Sequence, residues 1–318
     1  MTRARAAIDI GTYTARLLIV SDPMPSERIN PLVRKRRYIR LAEGFDASGK
    51  KIIQPESLDR TVAVIQDFLR DLRTFKVRSI HAVATGVVRD SANKSEFIEH
   101  IYEQTGIRVR LVTGEEEARL TAKGAMHSLD FQAPPFVIFD LGGGSTEFFF
   151  ESKNTRIVKS VPLGAMILTT GYLKSDPPEN ADIDLLSRHI DGELEAFAPR
   201  IFQSAEPLSV VGTGGTVTTL AMMLNGIEPE EVSAERVNGL VMKRQDIEAL
   251  FNQMKKMRFQ ERLTLPGLDK GRAGIILAGT LVVMRVMYLS KVFQLTVSMS
   301  DLLEGILIDH YKGEINAR

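Results

Sequence analysis

The chain is 318 residues long, 44% apolar and 25% charged, with 41 Lys and Arg against 40 Asp and Glu. That length suits one large or two ordinary domains and the composition excludes bulk disorder, while the balanced charge predicts no nucleic-acid and no membrane partner. With no cysteine, disulfides, thiolate metal sites and cysteine nucleophiles are excluded, and five scattered histidines leave only a hard cation on oxygen donors as a metal prospect.

The start, "MTRARAAID", is basic, but Asp9 breaks its apolar run at once, so no signal peptide is expected and the chain reads as cytoplasmic. Residues 6–20 read as two short strands around a turn. "PLVRKRRYIRLAEGF" suits a partly exposed strand, and its cluster Arg34, Lys35, Arg36, Arg37 and Arg40 is either a solvated edge or a guide for a long polyanion. "PESLDRTVAVIQDFLRDLRTF" is an amphipathic helix, with Leu58, Val62, Ile65, Leu69 and Leu72 at helical spacing and Pro55 in the first turn. "SIHAVAT" is a buried strand, "DSANKSEFIEHIYEQTG" a helix stopped by Gly106, "RVRLV" a strand and "TGEEEARLTAKGAM" a helix. The segment 126–135 reads as a connector. "FVIFDLGGGSTEFFF" is again strand, glycine turn, strand; a loop and helix follow over 176–201. "PLSVVGTGGTVTTLAMML" is strand, glycine turn, helix. "GLDKGRAGIILAGTLVVMRVMYL" reads as one long buried helix; its apolar core is short for a membrane span and carries Arg285. A last strand and helix lie in "FQLTVSMSDLLEGILIDHY". Strands alternating with helices predict an α/β layered fold.

Asp9-Ile10-Gly11-Thr12-Tyr13-Thr14-Ala15-Arg16-Leu17 aligns with Asp140-Leu141-Gly142-Gly143-Gly144-Ser145-Thr146-Glu147-Phe148. Two such strand–turn–strand units predict a duplicated domain. A third glycine turn, Gly212-Thr213-Gly214-Gly215, also follows a buried strand. Any one of these turns reads most simply as a tight bend. Three with one grammar favour a phosphate site, because glycine brings backbone N–H groups close to an anion. None has the Walker pattern. Asp9 and Asp140, before the glycines, either cap their own turns or hold Mg²⁺. Glu147 is a third acid, where Arg16 stands in the first unit. In "TGEEEAR", Thr113 and Glu116 fit a capping box, and Glu117, taken alone, reads as solvated, with general base as the alternative. Arg89, after another buried strand, is a surface ion pair or a phosphate ligand.

"AIDIGTYTARLLI", "VATGVVRDSAN", "TGEEEARL", "VIFDLGGGSTEF", "VPLGAMILT", "VVGTGGTVTTLA" and "GLDKGRAGIILAG" together resemble the exopolyphosphatase/guanosine pentaphosphate phosphohydrolase family over essentially the whole chain. The resemblance implies two ribonuclease-H-like domains of the actin, hexokinase and heat-shock ATPase superfamily, facing across a cleft. The first would be residues 1–124, completed by a helix at about 301–318, and the second residues 125–300. It implies Mg²⁺-dependent (or Mn²⁺-dependent) hydrolysis of terminal phosphoanhydrides in polyphosphate, guanosine pentaphosphate or both, and a homodimer. Glu117 looks like the base, with Glu116 as its register neighbour. Asp140 and Glu147, with Asp9, look like the metal-binding and water-positioning acids. Gly11 to Thr14, Gly142 to Ser145, Gly212 to Gly215 and Arg89 look like phosphate ligands.

Two departures stand out. Tyr13 occupies a place where the family commonly has Asn, which predicts altered substrate preference. The long helical C-terminal extension of larger members is not in this sequence, which predicts poor processivity on very long polyphosphate. An ATP-dependent kinase on the same fold and a non-catalytic guanosine polyphosphate sensor are the rival readings.

Overall fold

A computed structural model describes residues 3–22, 29, 31–43, 51–129, 134–196 and 207–316. The chain divides into two compact units, Met1–Ser128 with Asp301–Arg318, and Leu129–Ser300. The first is built on β1 (Arg3–Ile10), β2 (Thr14–Asp22), β3 (Pro31–Tyr38), β4 (Val77–Ala84) and β5 (Val109–Leu111), in the order β3-β2-β1-β4-β5. β1–β2 and β2–β3 are antiparallel; β1–β4 and β4–β5 are parallel. Parallel partners need crossovers, and helices supply them. These are α1 (Pro55–Thr74), α2 (Gly86–Asp90), α3 (Lys94–Thr105) and α4 (Gly114–Ser128). α1 buries Val62, Ile65, Phe68 and Leu72 along one stripe, and α3 ends where Gly106 takes φ 72°.

The second unit repeats this plan with β6 (Phe136–Leu141), β7 (Thr146–Glu151), β8 (Arg156–Val161), β9 (Ser209–Thr213), β10 (Val241–Lys243) and β11 (Gln294–Val297). The order is β8-β7-β6-β9-β11-β10, so its first five strands follow the same order and directions as unit 1, and β10 is added antiparallel to β11. Its helices include α5 (Ala165–Tyr172), α6 (Asn180–Glu195), α7 (Gly215–Asn225), α8 (Arg244–Met254) and α9 (Ile276–Leu289). β6 is buried on both faces and sits at the centre of this unit's core with Phe148, Val217, Leu220, Leu277 and Leu281.

The chain then returns to unit 1 as α10 (Leu302–Asn316), whose Leu302, Leu303, Ile306 and Leu307 pack with Ala7, Leu18, Val83 and Leu120. α4 and α10 meet backbone to backbone. A Cβ on Gly124 would overlap the Asp301 carbonyl, and one on Gly305 would overlap that of Leu120.

Two sequence expectations change, those for 267–289 and 126–135. The long helix expected over 267–289 begins only at Ile276, after a single 3₁₀ turn, Lys270–Arg272. Gly267 takes φ 70°, and Asp269 accepts the Gly271 N–H at 3.1 Å, a local bond that competes with a helix. Four of the five basic residues between Arg34 and Arg40 are in ion pairs, as in the solvated-edge reading. Arg34 pairs with Glu304, Lys35 with Asp71 at 2.6 Å, Arg37 with Asp67 at 3.3 Å and Arg40 with Glu43 at 3.4 Å. The connector expected at 126–135 starts inside α4, which runs to Ser128, and lies partly outside the described residues. Among the described residues no helix is long and apolar enough to cross a membrane.

Candidate active site

The two repeated hairpins turn by one device. Gly11 N–H donates to Thr14 O, and Gly142 N–H to Ser145 O, both at 3.0 Å. Each turn then commits its carbonyls to the segment behind it. Tyr13 O accepts from Ile39 and Arg40, and Thr12 O from Leu41, at 2.8–3.1 Å. Gly142 O accepts from Ala165, and Gly143 O from Met166 and Ile167, at 3.0–3.2 Å, so the second turn caps the start of α5. In a trans peptide the N–H points opposite the preceding C=O. The N–H groups of Tyr13, Gly143 and Gly144 therefore point away from those segments, as an anion-binding turn requires. The third turn leads into α7, whose first N–H groups face its N-terminal end.

Side chains in the first turn act as struts. Thr12 Oγ1 accepts the Val87 N–H at 3.1 Å, and Gly86, at φ 47°, leaves the room for it. Thr14 is buried opposite Tyr38 in the β2–β3 ladder. The Tyr13 ring, 8% exposed, meets the Tyr38 ring edge-on at 5.4 Å. It is packed against β3, so its place in the turn is explained by packing.

The three glutamates that open α4 separate cleanly. Glu115 and Glu116 are surface residues paired with Arg119 at 3.6 Å and Arg110 at 2.7 Å. Glu117 is 7% exposed, and its Oε2 accepts from Arg89 Nη1 at 3.2 Å. The solvated reading of Glu117 is thereby overturned. Thr113 Oγ1 accepts the Glu116 N–H at 3.1 Å, which fixes the start of the helix and turns the next residue inward. Arg89, on α2, also reaches Val112 O at 3.4 Å.

Asp9 and Arg16 are direct partners across β1 and β2, and Arg16 Nε and Nη2 both lie 2.8 Å from Asp9 Oδ2. Asp9 Oδ1 is buried with no hydrogen-bond partner among the described residues. Burial pushes the Asp9 carboxyl above its ordinary value, against the pull of Arg16.

In unit 2 the same register opposes Asp140 to Glu147, two buried acids on one face. Glu147 Oε1 accepts from Ser145 Oγ at 2.6 Å and Ser160 Oγ at 2.7 Å. Thr213 is the ladder partner of Asp140, and its buried Oγ1 has no hydrogen-bond partner among the described residues. Gly214, at φ 94°, sits so close that a Cβ would lie 2.7 Å from Asp140 Oδ1. Gly212 has a packing role instead: it is inside β9, where a Cβ would lie 2.9 Å from the Phe139 ring. Glu147 and Thr213, the ladder partners of Asp140, both bring oxygen donors, the kind a hard cation takes. Among the described residues no group of three or more His, Asp or Glu could hold a metal ion by itself.

A sequence model of the Ppx/GppA phosphatase family matches residues 19–314. The chain belongs to the Ppx/GppA phosphatase family. Exopolyphosphatase 2 of Mycobacterium tuberculosis (strain ATCC 25618 / H37Rv) is 31% identical over 317 residues, covering 95% of this chain and 97% of that protein. The crystal structure of the Aquifex aeolicus Ppx/GppA family member is similar at TM-score 0.80 and 27% identity over 99% of both chains. That of an exopolyphosphatase from Cytophaga hutchinsonii is similar at TM-score 0.88 and 26% identity over 98% of both. The fold class expected from the sequence, two ribonuclease-H-like α/β domains of the actin superfamily, stands on these matches and on the repeated sheet order.

In this Ppx/GppA chain, several residues that support the candidate groups of each unit escaped sequence reasoning. Arg272 is 7% exposed, and its guanidinium lies so tightly on Gly215 that a Cβ there would overlap it. Ser160 holds Glu147 from β8, and Asp301 holds Arg16 from the start of α10. A signal for Arg272 was present in "GLDKGR", whose glycines oppose a helix; Ser160 and Asp301 had none.

Proposed function

We propose that the protein is an exopolyphosphatase that releases terminal phosphate from inorganic polyphosphate by attack of water. Guanosine pentaphosphate, whose 5′ chain ends in the same kind of anhydride, is proposed as a second substrate. The observation that carries this reading is Glu117, a buried carboxylate at the head of α4 with a guanidinium on one oxygen. A binding protein has no need of such a base; a hydrolase does. The relatives named exopolyphosphatase support the same reading.

Phosphoryl transfer asks the protein mainly for positioning and charge neutralisation. In this reading Glu117 orients the water and takes its proton. Arg89, held beside Glu117, offers its remaining N–H groups to a phosphate oxygen. The outward N–H groups of the glycine turns and the start of α7 hold further phosphate oxygens, and Arg272 adds a cation beside Gly215. Asp140 and Glu147, with Asp9 as a further candidate, are the groups that would hold Mg²⁺ or Mn²⁺, which supplies charge neutralisation at the transferred phosphoryl group. Ser145 and Ser160 keep the Glu147 carboxylate in place. Mg²⁺ is commonly bound through one or two carboxylates together with water and substrate phosphates, so the Asp140–Glu147 pair is sufficient.

The test is Glu117→Gln against Glu116→Gln, measured as phosphate release from short polyphosphate. Glutamine in place of Glu117 keeps the shape and an acceptor for Arg89 but cannot take the proton, so kcat is expected to fall about 10²–10⁴-fold. The Glu116 variant is expected to match wild type. Near-wild-type turnover in the Glu117 variant would remove the base assignment. Calorimetric binding of guanosine polyphosphate without any turnover would favour the sensor, and ATP-dependent phosphorylation of an acceptor would favour the kinase.

A further inference from the structure

The C-terminal segment re-enters unit 1 at Asp301, and there it reaches Arg16. The Arg16 guanidinium is shared. Its Nε and Nη2 face Asp9 Oδ2, while its Nη1 pairs with Asp301 Oδ2. Asp301 is itself held firmly. Its Oδ1 accepts the Leu303 N–H at 3.2 Å and its own N–H donates to Glu304 Oε2 at 3.0 Å, a reciprocal cap on α10. Glu304 pairs in turn with Arg34. Three buried carboxylates (Asp9, Asp301, Glu304) and two partly buried guanidiniums (Arg16, Arg34) thus form one chain.

A guanidinium is a rigid planar fork, so fixing one edge fixes the direction of the other. With Asp301 on Nη1, Arg16 meets Asp9 through one oxygen only. The other oxygen, Oδ1, is the atom left buried without a partner among the described residues. It belongs to the side chain two residues before Gly11, whose other oxygen, Oδ2, would lie 3.9 Å from a Cβ on that glycine. We propose that Asp301 is a positioning residue for Asp9: by holding Arg16 from the start of α10, it keeps Asp9 Oδ1 presented beside the first glycine turn. Its kinetic consequence rests on the phosphohydrolase reading; its geometric consequence does not.

The experiment uses Asp301→Asn in the full chain. Asn is as good a helix N-cap as Asp, so the variant keeps the bond to Leu303 while removing the charge that holds Arg16. Removing such a supporting partner typically costs about 10–100-fold in activity, and that fall is expected in kcat on short polyphosphate, with KM changed less. The fall should vanish in an Asp9→Asn background, to within about twofold, because the two substitutions act through one carboxylate. Effects that multiply instead would mark Asp301 as a helix cap only and overturn the proposal. A crystal structure of the variant gives a readout without turnover: Arg16 should rotate, so that Asp9 Oδ2 no longer receives both Nε and Nη2. An unmoved Arg16 overturns the proposal even if the wild type hydrolyses nothing, an outcome that would separately sink the phosphohydrolase reading. Unfolding midpoints of all variants show whether they are folded, and Arg16→Lys, which cannot hold both acids at once, should reproduce the kcat loss if Asp301→Asn does not fold.

Discussion

Gly214→Ala tests the coupling between backbone and acid most directly. Gly214 adopts φ 94° and ψ 167°, a region that is essentially glycine-only and costs a side chain about 1–3 kcal/mol. Its Cβ would also lie 2.7 Å from Asp140 Oδ1 and closer still to the Leu141 carbonyl. The carbonyl belongs to β6 and cannot give way cheaply, so overpacking adds roughly 1–3 kcal/mol. The expected loss of stability is therefore about 2–6 kcal/mol. Gly226→Ala is the control. That residue is left-handed, at φ 62° and ψ 36°, but a Cβ there meets nothing within 4 Å. Its cost should be about 1 kcal/mol, the left-handed penalty less what Ala saves by restricting the unfolded chain. Urea unfolding of both variants separates backbone strain from collision, and phosphate release from polyphosphate, measured under folded conditions, shows whether Asp140 has moved. If the Gly214 variant loses no more stability than the control and keeps kcat within a factor of two, the close approach of the third turn to Asp140 is not what the site depends on.

Two further predictions follow from side chains in the first turn. Tyr13→Asn removes a buried ring packed edge-on against Tyr38 and should cost about 2–4 kcal/mol in thermal or urea unfolding. The ratio of polyphosphate to guanosine pentaphosphate hydrolysis should stay the same; a shifted ratio at unchanged stability would show that the ring reaches substrate. Asp9→Asn mimics the protonated acid. Burial raises the folded Asp9 above its ordinary value of 3.8, outweighing Arg16, so the folded state binds this proton more tightly than the unfolded chain. Stability then falls as pH rises from the unfolded value through the folded one. The variant should be more stable than wild type at pH 7, and the gap should close as pH falls toward 3.8. A gap that does not change with pH, or one that widens on acidification, contradicts the sign.

The duplicated hairpin was legible because a strand–turn–strand of nine residues carries its own signal: an apolar run on each side, an acid and a glycine. Its partner strands were legible for the same reason. β8 was not, since "RIVKSV" is a polar edge strand with little apolar contrast, and β10 is only three residues long. The stretch read as one long helix shows a different failure. Burial on all sides hid where α9 begins, and Arg272 was lost inside the run. Glu117 could be picked from its neighbours by resemblance alone. What turns it inward is the Thr113 cap and the reach of Arg89 from another helix, and neither is a local property of "EEE". Asp301 had no signal at all, because its partner Arg16 lies 285 residues away in sequence.

The two hairpins share a frame and differ in charge. At equivalent positions of the register, Asp9 faces Arg16 and Asp140 faces Glu147. An acid opposed by a guanidinium is largely neutralised within the protein. Two acids opposed on one face repel, and such a pair is destabilising unless something of opposite sign joins it. Ser145 and Ser160 both donate to one Glu147 oxygen and so order that carboxylate. The two units therefore share one turn geometry and differ at one register position, where unit 1 has Arg16 and unit 2 has Glu147. Under the proposed reading, in which Asp140 and Glu147 hold the metal, Glu147→Arg is expected to abolish the stimulation of phosphate release by Mg²⁺, and stimulation equal to wild type would refute that assignment; Arg16, matched by two acids of its own, holds Asp9 in place.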